Sequence, residues 1–179
     1  DMKSLKGIIY AMISSGTFGL IPLFTIPLMG NMEMNESNIL FYRFLFSTLM
    51  MGAVCLLHKS TLKINMKHLI SIIGLGALYA LTALFLIYSY HYITSGVATT
   101  IHFLYPICVS FLMVVFFKEQ KSKSLFLAAS LSLIGVALMC WSGGGSIRLM
   151  GIGLAALTIL TYGIYIVCLL YTSDAADDK

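Results

Sequence analysis

The sequence predicts an all-α integral membrane protein: six transmembrane helices, a first five-helix repeat plus the start of an inverted second repeat. Three observations predict it. Hydrophobic residues make up 59% of the 179 positions and charged residues only 10%, with a mean hydropathy of +0.95. Soluble domains are nearer to about 45–50% apolar and about 25% charged, so this chain lacks the polar surface that would cover a water-soluble globule. Six apolar runs are long enough to cross a bilayer, which takes about 20 helical residues. Finally, the first run returns near the end of the chain. Residues 7–23 align without a gap on residues 151–167: Gly7 falls on Gly151, Ile8 on Ile152, Ala11 on Ala155, Thr17 on Thr161 and Gly19 on Gly163, while Ser14 meets Thr158 and Phe18 meets Tyr162. With five crossings between the copies, the second copy enters the membrane from the opposite side, a build common among secondary transporters.

The spans are expected at 7–29, 38–57, 68–91, 95–117, 124–142 and 150–170. They are apolar nearly all round with Gly, Ala and Ser scattered inside, which suits helices packed on one another in lipid. No signal-peptide cleavage pattern follows the first run, and that run is too long for a signal h-region. Residues 1–6 form an N-terminal extension, 7–142 the first repeat, 143–149 a linker and 150–167 the opening helix of the second repeat.

Charge sets the orientation. Lys3 and Lys6 precede the first span, Lys59, Lys63 and Lys67 occupy the second connection, and Lys118, Lys121 and Lys123 the fourth. The first connection has Glu33 and Glu36 and no base, the third has no charge, and the fifth has only Arg148. Eight bases on one side against one on the other place the N-terminus in the cytoplasm by the positive-inside rule. Split among short loops, these bases do not form a nucleic-acid patch. The partners expected are therefore the lipid bilayer and a small-molecule substrate, with no nucleic acid; a homodimer is compatible with this reading.

Cys55, Cys108, Cys140 and Cys168 are far apart and lie within or at the ends of apolar runs, without a Cys-x-x-Cys pair. They read as small buried hydrophobes. No metal-ligand spacing and no nucleophile–base–acid set is present, so neither a cofactor nor an enzymatic centre is expected. The three glycines at 143–145 are a flexible link and not a phosphate loop, since no strand precedes them and no Lys-Ser/Thr follows.

Both chain ends depart from the pattern. Asp1 precedes Met2, the expected start. Residues 168–177 (CLLYTSDAAD) turn an apolar helix abruptly acidic and resemble the translation of a transposase-end sequencing adapter. On that reading 168–179 is an artefact and the natural chain runs on beyond Val167; a genuine acidic tail is the alternative.

Several residues together resemble the EamA-like branch of the drug/metabolite transporter superfamily. They are Phe18-Gly19, Tyr42-Arg43-Phe44, the run SGVATTIHFLYP from Ser95 to Pro106, Lys118-Glu119, Gly135-Val136 and the restart at Gly151. Their order and spacing carry the resemblance; no one motif does. It implies ten helices in two inverted five-helix repeats and export or exchange of small metabolites such as amino acids across the bacterial inner membrane. The chain departs from the family in stopping after the sixth span.

The candidate site follows from polar and aromatic groups inside the spans. Arg43 is the one strong charge well within a span, about 9 Å deep at 1.5 Å per residue. It is read as a gating or structural residue, with substrate-carboxylate contact, snorkelling and pairing with Glu36 as alternatives. In the fourth span Ser95, Thr99, His102 and Pro106 follow i, i+4, i+7, i+11 and share a face, with Tyr105 beside it. Pro106 cannot donate to the His102 carbonyl, so the helix bends and leaves a polar group beside an imidazole. That group needs a partner, which a water-lined cavity supplies; a neutral histidine bonded to a neighbouring helix is the alternative. In the first span, Pro22 frees the Phe18 carbonyl, and Ser14, Ser15, Gly16 and Thr17 sit just before this break. Tyr79 and Thr82 of the third span and Tyr162 and Tyr165 of the sixth complete the set. The expected cavity is thus lined by Thr17, Phe18, Tyr79, Thr82, Thr99, His102, Tyr105, Tyr162 and Tyr165, with Arg43, Pro22, Pro106 and Glu119 as gating or structural residues. Each stripe is alternatively plain helix packing, Glu119 a solvated loop charge. No Asp or Glu lies inside a span, so proton coupling in this half would fall to His102. A membrane-embedded enzyme and a non-transporting subunit are the competing function classes.

Overall fold

The computed structural model describes residues 2–18, 20–31, 34–58, 66–117 and 148–177, with residues 127, 130–132, 134–135 and 137–138. Its helices are α1 (Met2–Phe18), α2 (Leu20–Asn31), α3 (Glu36–Leu57), α4 (Met66–Ser89), α5 (Ser95–His102), α6 (Tyr105–Phe117) and α7 (Leu149–Asp177). No strand occurs among the described residues. Five stretches are long and apolar enough to cross a membrane: Gly7–Gly30, Glu36–Leu57, His68–Ser89, Ser95–Phe117 and Leu149–Thr172. They coincide with five of the six expected spans. The remaining one, 124–142, lies mostly outside the described residues; its described positions are helical.

Local chemistry explains the breaks. Thr94 caps α5, its hydroxyl accepting the Val97 N–H at 3.5 Å, and so satisfies one of the orphan donors of a helix start. Between α5 and α6 the helix is interrupted at Phe103 and Leu104. Leu104 N–H donates to Ile101 and Ile107 N–H to Leu104, tightened i→i−3 bonds around Pro106, which has no N–H to give. The interruption also changes register. His102 is buried whereas Pro106 is exposed, so the face expected to run from Ser95 to Pro106 ends at His102.

The last helix sits against the centre of the bundle. α7 packs most extensively on α4 and then on α6 and α5. A stripe of small residues makes this approach possible, as lipid-embedded helices require. Ala155 and Thr158 are fully buried. A Cβ on Gly151 would lie 2.7 Å from Tyr92 Cβ and 2.9 Å from Ile93 Cγ2, and one on Gly163 would lie 3.0 Å from Cys108 Sγ. These contacts put the α7 N-terminus beside the α4–α5 connection, so α7 runs antiparallel to α4.

One apolar cluster joins Leu86, Ile93, Val97, Ala98, Ile101 and Ala155, with Phe18 and Ile152 packed on it. A second joins Ile39 and Leu40 of α3 to Ala83 and Ile87 of α4. α4 therefore carries α7 on one side and α3 on the other. At the same end as the α4–α5 connection, hereafter the upper end, Glu36 and His91 form an ion pair. The starts of α1 and α4 and the ends of α3 and α6 lie at the opposite, lower end. Exposed Leu, Ile, Phe and Met cover the outside of the helices, Leu57 and Phe116 among them; this is the surface that hydrocarbon would wet.

Candidate functional site

His102 closes α5 and is only 2% exposed. Its Nδ1 meets Thr158 Oγ1 of α7 at 3.0 Å. The Thr158 hydroxyl proton goes to the Ala155 carbonyl at 2.6 Å, so the imidazole Nδ1–H is the donor, and the neutral ring keeps its lone pair on Nε2. Phe18 stacks on the same imidazole, centroids 5.7 Å apart and planes 6° from parallel. A histidine this deep in an apolar bundle needs such a partner, because an unpaired buried polar group is costly.

Aromatic rings extend from this point across four further helices. His102 touches Tyr105 at 5.7 Å and Tyr162 at 5.1 Å. Tyr105 and Tyr162 meet edge-on at 4.6 Å, the arrangement the ring quadrupoles favour. Tyr162 stacks on Tyr165 at 5.4 Å, Tyr165 faces Tyr79 at 5.5 Å, and Tyr79 reaches Phe44 at 5.9 Å. All four tyrosines are half-buried. Above them on α4 and α7, the Thr82 hydroxyl donates to Thr161 Oγ1 at 2.7 Å, while Thr161 donates to its own Leu157 carbonyl at 3.1 Å.

Arg43 stands at the α3 edge of this wall. Its Nη2 donates to the Tyr79 hydroxyl at 3.4 Å, and its guanidinium carbon lies 5.9 Å from the Phe44 ring centroid. Glu36, which sequence alone offered as a partner, is taken by His91. Among the described residues no carboxylate pairs with Arg43.

Among the described residues two open cavities lie at levels above and below the aromatic wall, with no ring of the wall in either lining. The upper one, about 640 Å³, lies between α2 and α5 and is lined by Pro22, Ile26, Pro27, Ser95, Thr99 and Phe103 among others. The lower one, about 680 Å³, lies between α4, α6 and α7, with Ser71, Leu75, Leu78, Phe117, Val167 and Thr172 in its lining. Along α4 the wall residue Tyr79 is next to Leu78; along α7, Tyr165 is two residues above Val167. Among the described residues the buried Thr99 and Tyr90 hydroxyls have no hydrogen-bond partner.

Of the residues singled out in the sequence, the structure brings together Phe18, Tyr79, His102, Tyr105, Tyr162 and Tyr165, with Arg43 at the edge. Thr82 pairs with Thr161 beside them. Thr99 and Pro22 line the upper cavity. Thr17 stays apart: it is exposed and donates to the Ser14 carbonyl of its own helix at 2.8 Å. Glu119 lies outside the described residues, as does Cys140; Cys55, Cys108 and Cys168 are free thiols. Among the described residues no group of His, Cys, Asp or Glu is placed to hold a metal ion. Four participants escaped the sequence reading: Tyr90, Phe44 as a wall ring, Thr161 as the partner of Thr82, and His91 as the partner of Glu36. Thr161 left a signal in its match to Thr17 in the repeat, and Phe44 in the Tyr42-Arg43-Phe44 run.

Compared with known proteins, residues 5–141 match the model of the EamA-like transporter family. No curated protein and no solved structure matches the chain.

Proposed function

Because the chain belongs to the EamA-like transporter family, we propose that it acts as a secondary carrier of small amphipathic metabolites such as amino acids, working by alternating access. The observation that carries this is the aromatic wall with one cavity toward each end of the bundle. A wall between two half-open cavities is what a carrier needs, since a continuous pore would leak. Half-buried tyrosines offer flat apolar faces and hydroxyls together, which suits a substrate with both kinds of surface.

The N-terminus is assigned to the cytoplasm of a bacterial inner membrane, and the carrier to export or exchange. The lysine-rich connections join helix termini at the lower end, which the positive-inside rule makes cytoplasmic. Inverted repeats are part of the same reading. α7 docks through Gly151, Ala155, Thr158 and Gly163, while Gly7, the counterpart of Gly151, has open space around it and Ser14, the counterpart of Thr158, is exposed. That α1 face would receive the corresponding helices of the other repeat.

Two single-cysteine variants in an otherwise cysteine-free chain test the mechanism in proteoliposomes: Thr99→Cys in the upper cavity and Leu75→Cys in the lower. Alternating access predicts that each thiol reacts with a water-soluble reagent from its own side. In the double variant, a bulky adduct at position 99 suppresses labelling at 75. Independent labelling of both would indicate an open channel, and protection of both a packed bundle; either result contradicts the carrier reading.

A further inference from the structure

Arg43 is a charge inside a span whose placement calls for a ligand. It lies about 10 Å from the upper end of α3 at 1.5 Å per residue, and Tyr79 lies about 15 Å from the upper end of α4. Helical side chains tilt toward the N-terminus, which for α3 is the upper end. A snorkelling arginine would therefore follow its natural direction out to the headgroups. Instead its guanidinium reaches inward, onto the Tyr79 hydroxyl. At 3.4 Å this contact is longer than an ordinary N–H···O bond. It engages one of five guanidinium donors, and the nearby Phe44 ring offers only a π-face. A cation held part-way into a membrane is expensive unless it meets water, protein or an anion. Among the described residues the nearest candidate carboxylate, Glu36, is already bonded to His91.

We infer that Arg43 is the anion-recognising end of the substrate site: the transported molecule carries a carboxylate that docks on the guanidinium, with its apolar or aromatic body against Tyr79, Tyr165 and Tyr162. This rests on the carrier reading above and narrows it to organic anions and zwitterions. The planar guanidinium fork matches the two oxygens of a carboxylate. The rings nearest to it supply stacking surface: Tyr79 faces Tyr165 at 5.5 Å and Tyr162 at 6.3 Å. An organic cation would find the same rings but meet Arg43 at their edge. A lipid phosphate presents similar oxyanion chemistry, but the inward reach of the side chain selects a soluble carboxylate.

The test uses the full 179-residue chain in phosphatidylcholine nanodiscs and three probes of one shape: phenylacetate, its neutral isostere phenylacetamide, and phenethylamine as the cation. Ligand-detected NMR or calorimetry reads the affinities. Phenylacetate is expected to bind at least about tenfold more tightly than the other two, the scale of one charge-assisted contact. Arg43→Gln should lower phenylacetate to the level of phenylacetamide, with an unchanged helical circular dichroism spectrum reporting that the variant is folded. Arg43→Lys should retain part of the preference. Equal binding of all three probes, or an unchanged phenylacetate affinity in Arg43→Gln, overturns the anion assignment and leaves the aromatic site standing. Binding of none overturns both. In discs with added phosphatidylglycerol the phenylacetate affinity should not change; competition by this lipid would make the headgroup the occupant and overturn the soluble-carboxylate assignment.

Discussion

The imidazole of His102 and the hydroxyl of Thr158 meet at 3.0 Å in the buried seam between α5 and α7. The bond ties the helix that ends at the Phe103–Leu104 interruption to the one that packs along α4. Removing the acceptor leaves a buried N–H without a partner. Thr158→Val should therefore destabilise the chain by about 1–2 kcal/mol, read by reversible unfolding in mixed micelles. Thr17→Val, at an exposed hydroxyl that bonds only its own helix, should change little. Equal effects at both positions would show that the seam bond contributes nothing particular.

Glycine at 151 is required by close approach, not by backbone conformation. Its absent Cβ would fall 2.7 Å from Tyr92 Cβ, whereas the same atom on Gly153, two residues along, meets nothing within 4 Å. Gly151→Ala should thus cost about 1–3 kcal/mol as an overpacked contact. Gly153→Ala should be neutral or gain up to about 1 kcal/mol from helix propensity. Thermal unfolding of the two variants in one detergent checks the contrast, and matching shifts would contradict the docking of α7.

Thr82 and Thr161 couple α4 to α7 through a 2.7 Å hydroxyl bond, yet each also has a carbonyl of its own helix within reach. Because those carbonyls remain available, the interhelical term should be small. A double-mutant cycle with Thr82→Val and Thr161→Val should give about 0.6 kcal/mol, the usual scale for such bonds in membranes. A coupling several times larger would mean that the pair belongs to a wider network.

Five of the six expected spans were legible because long apolar runs in water-excluded surroundings leave few alternatives to helix. Pro106 announced the interruption before it through its missing N–H. The aromatic stripes were legible as faces, since periodicity places Tyr162 and Tyr165 near one another. What periodicity cannot supply is the identity of the facing helix. That Tyr79 receives Arg43, that Glu36 goes to His91, and that Cys108 packs on Gly163 all depend on which helices are neighbours. Local spacing also misled: counting i, i+4, i+7, i+11 from Ser95 assumed an unbroken helix, and the turn at Phe103–Leu104 left Pro106 exposed while His102 is buried.

The central claim is that the tyrosine wall is a wetted substrate surface and not a dry packing seam. Fluorine NMR of the chain labelled with 3-fluorotyrosine, with resonances assigned by Tyr→Phe variants, tests it most directly. The resonances of Tyr162 and Tyr165 should move on exchange of H2O for D2O and respond weakly to oxygen dissolved in the lipid. Absence of the isotope shift at both positions, with strong relaxation by oxygen, would show the wall to be sealed from water and contradict the account.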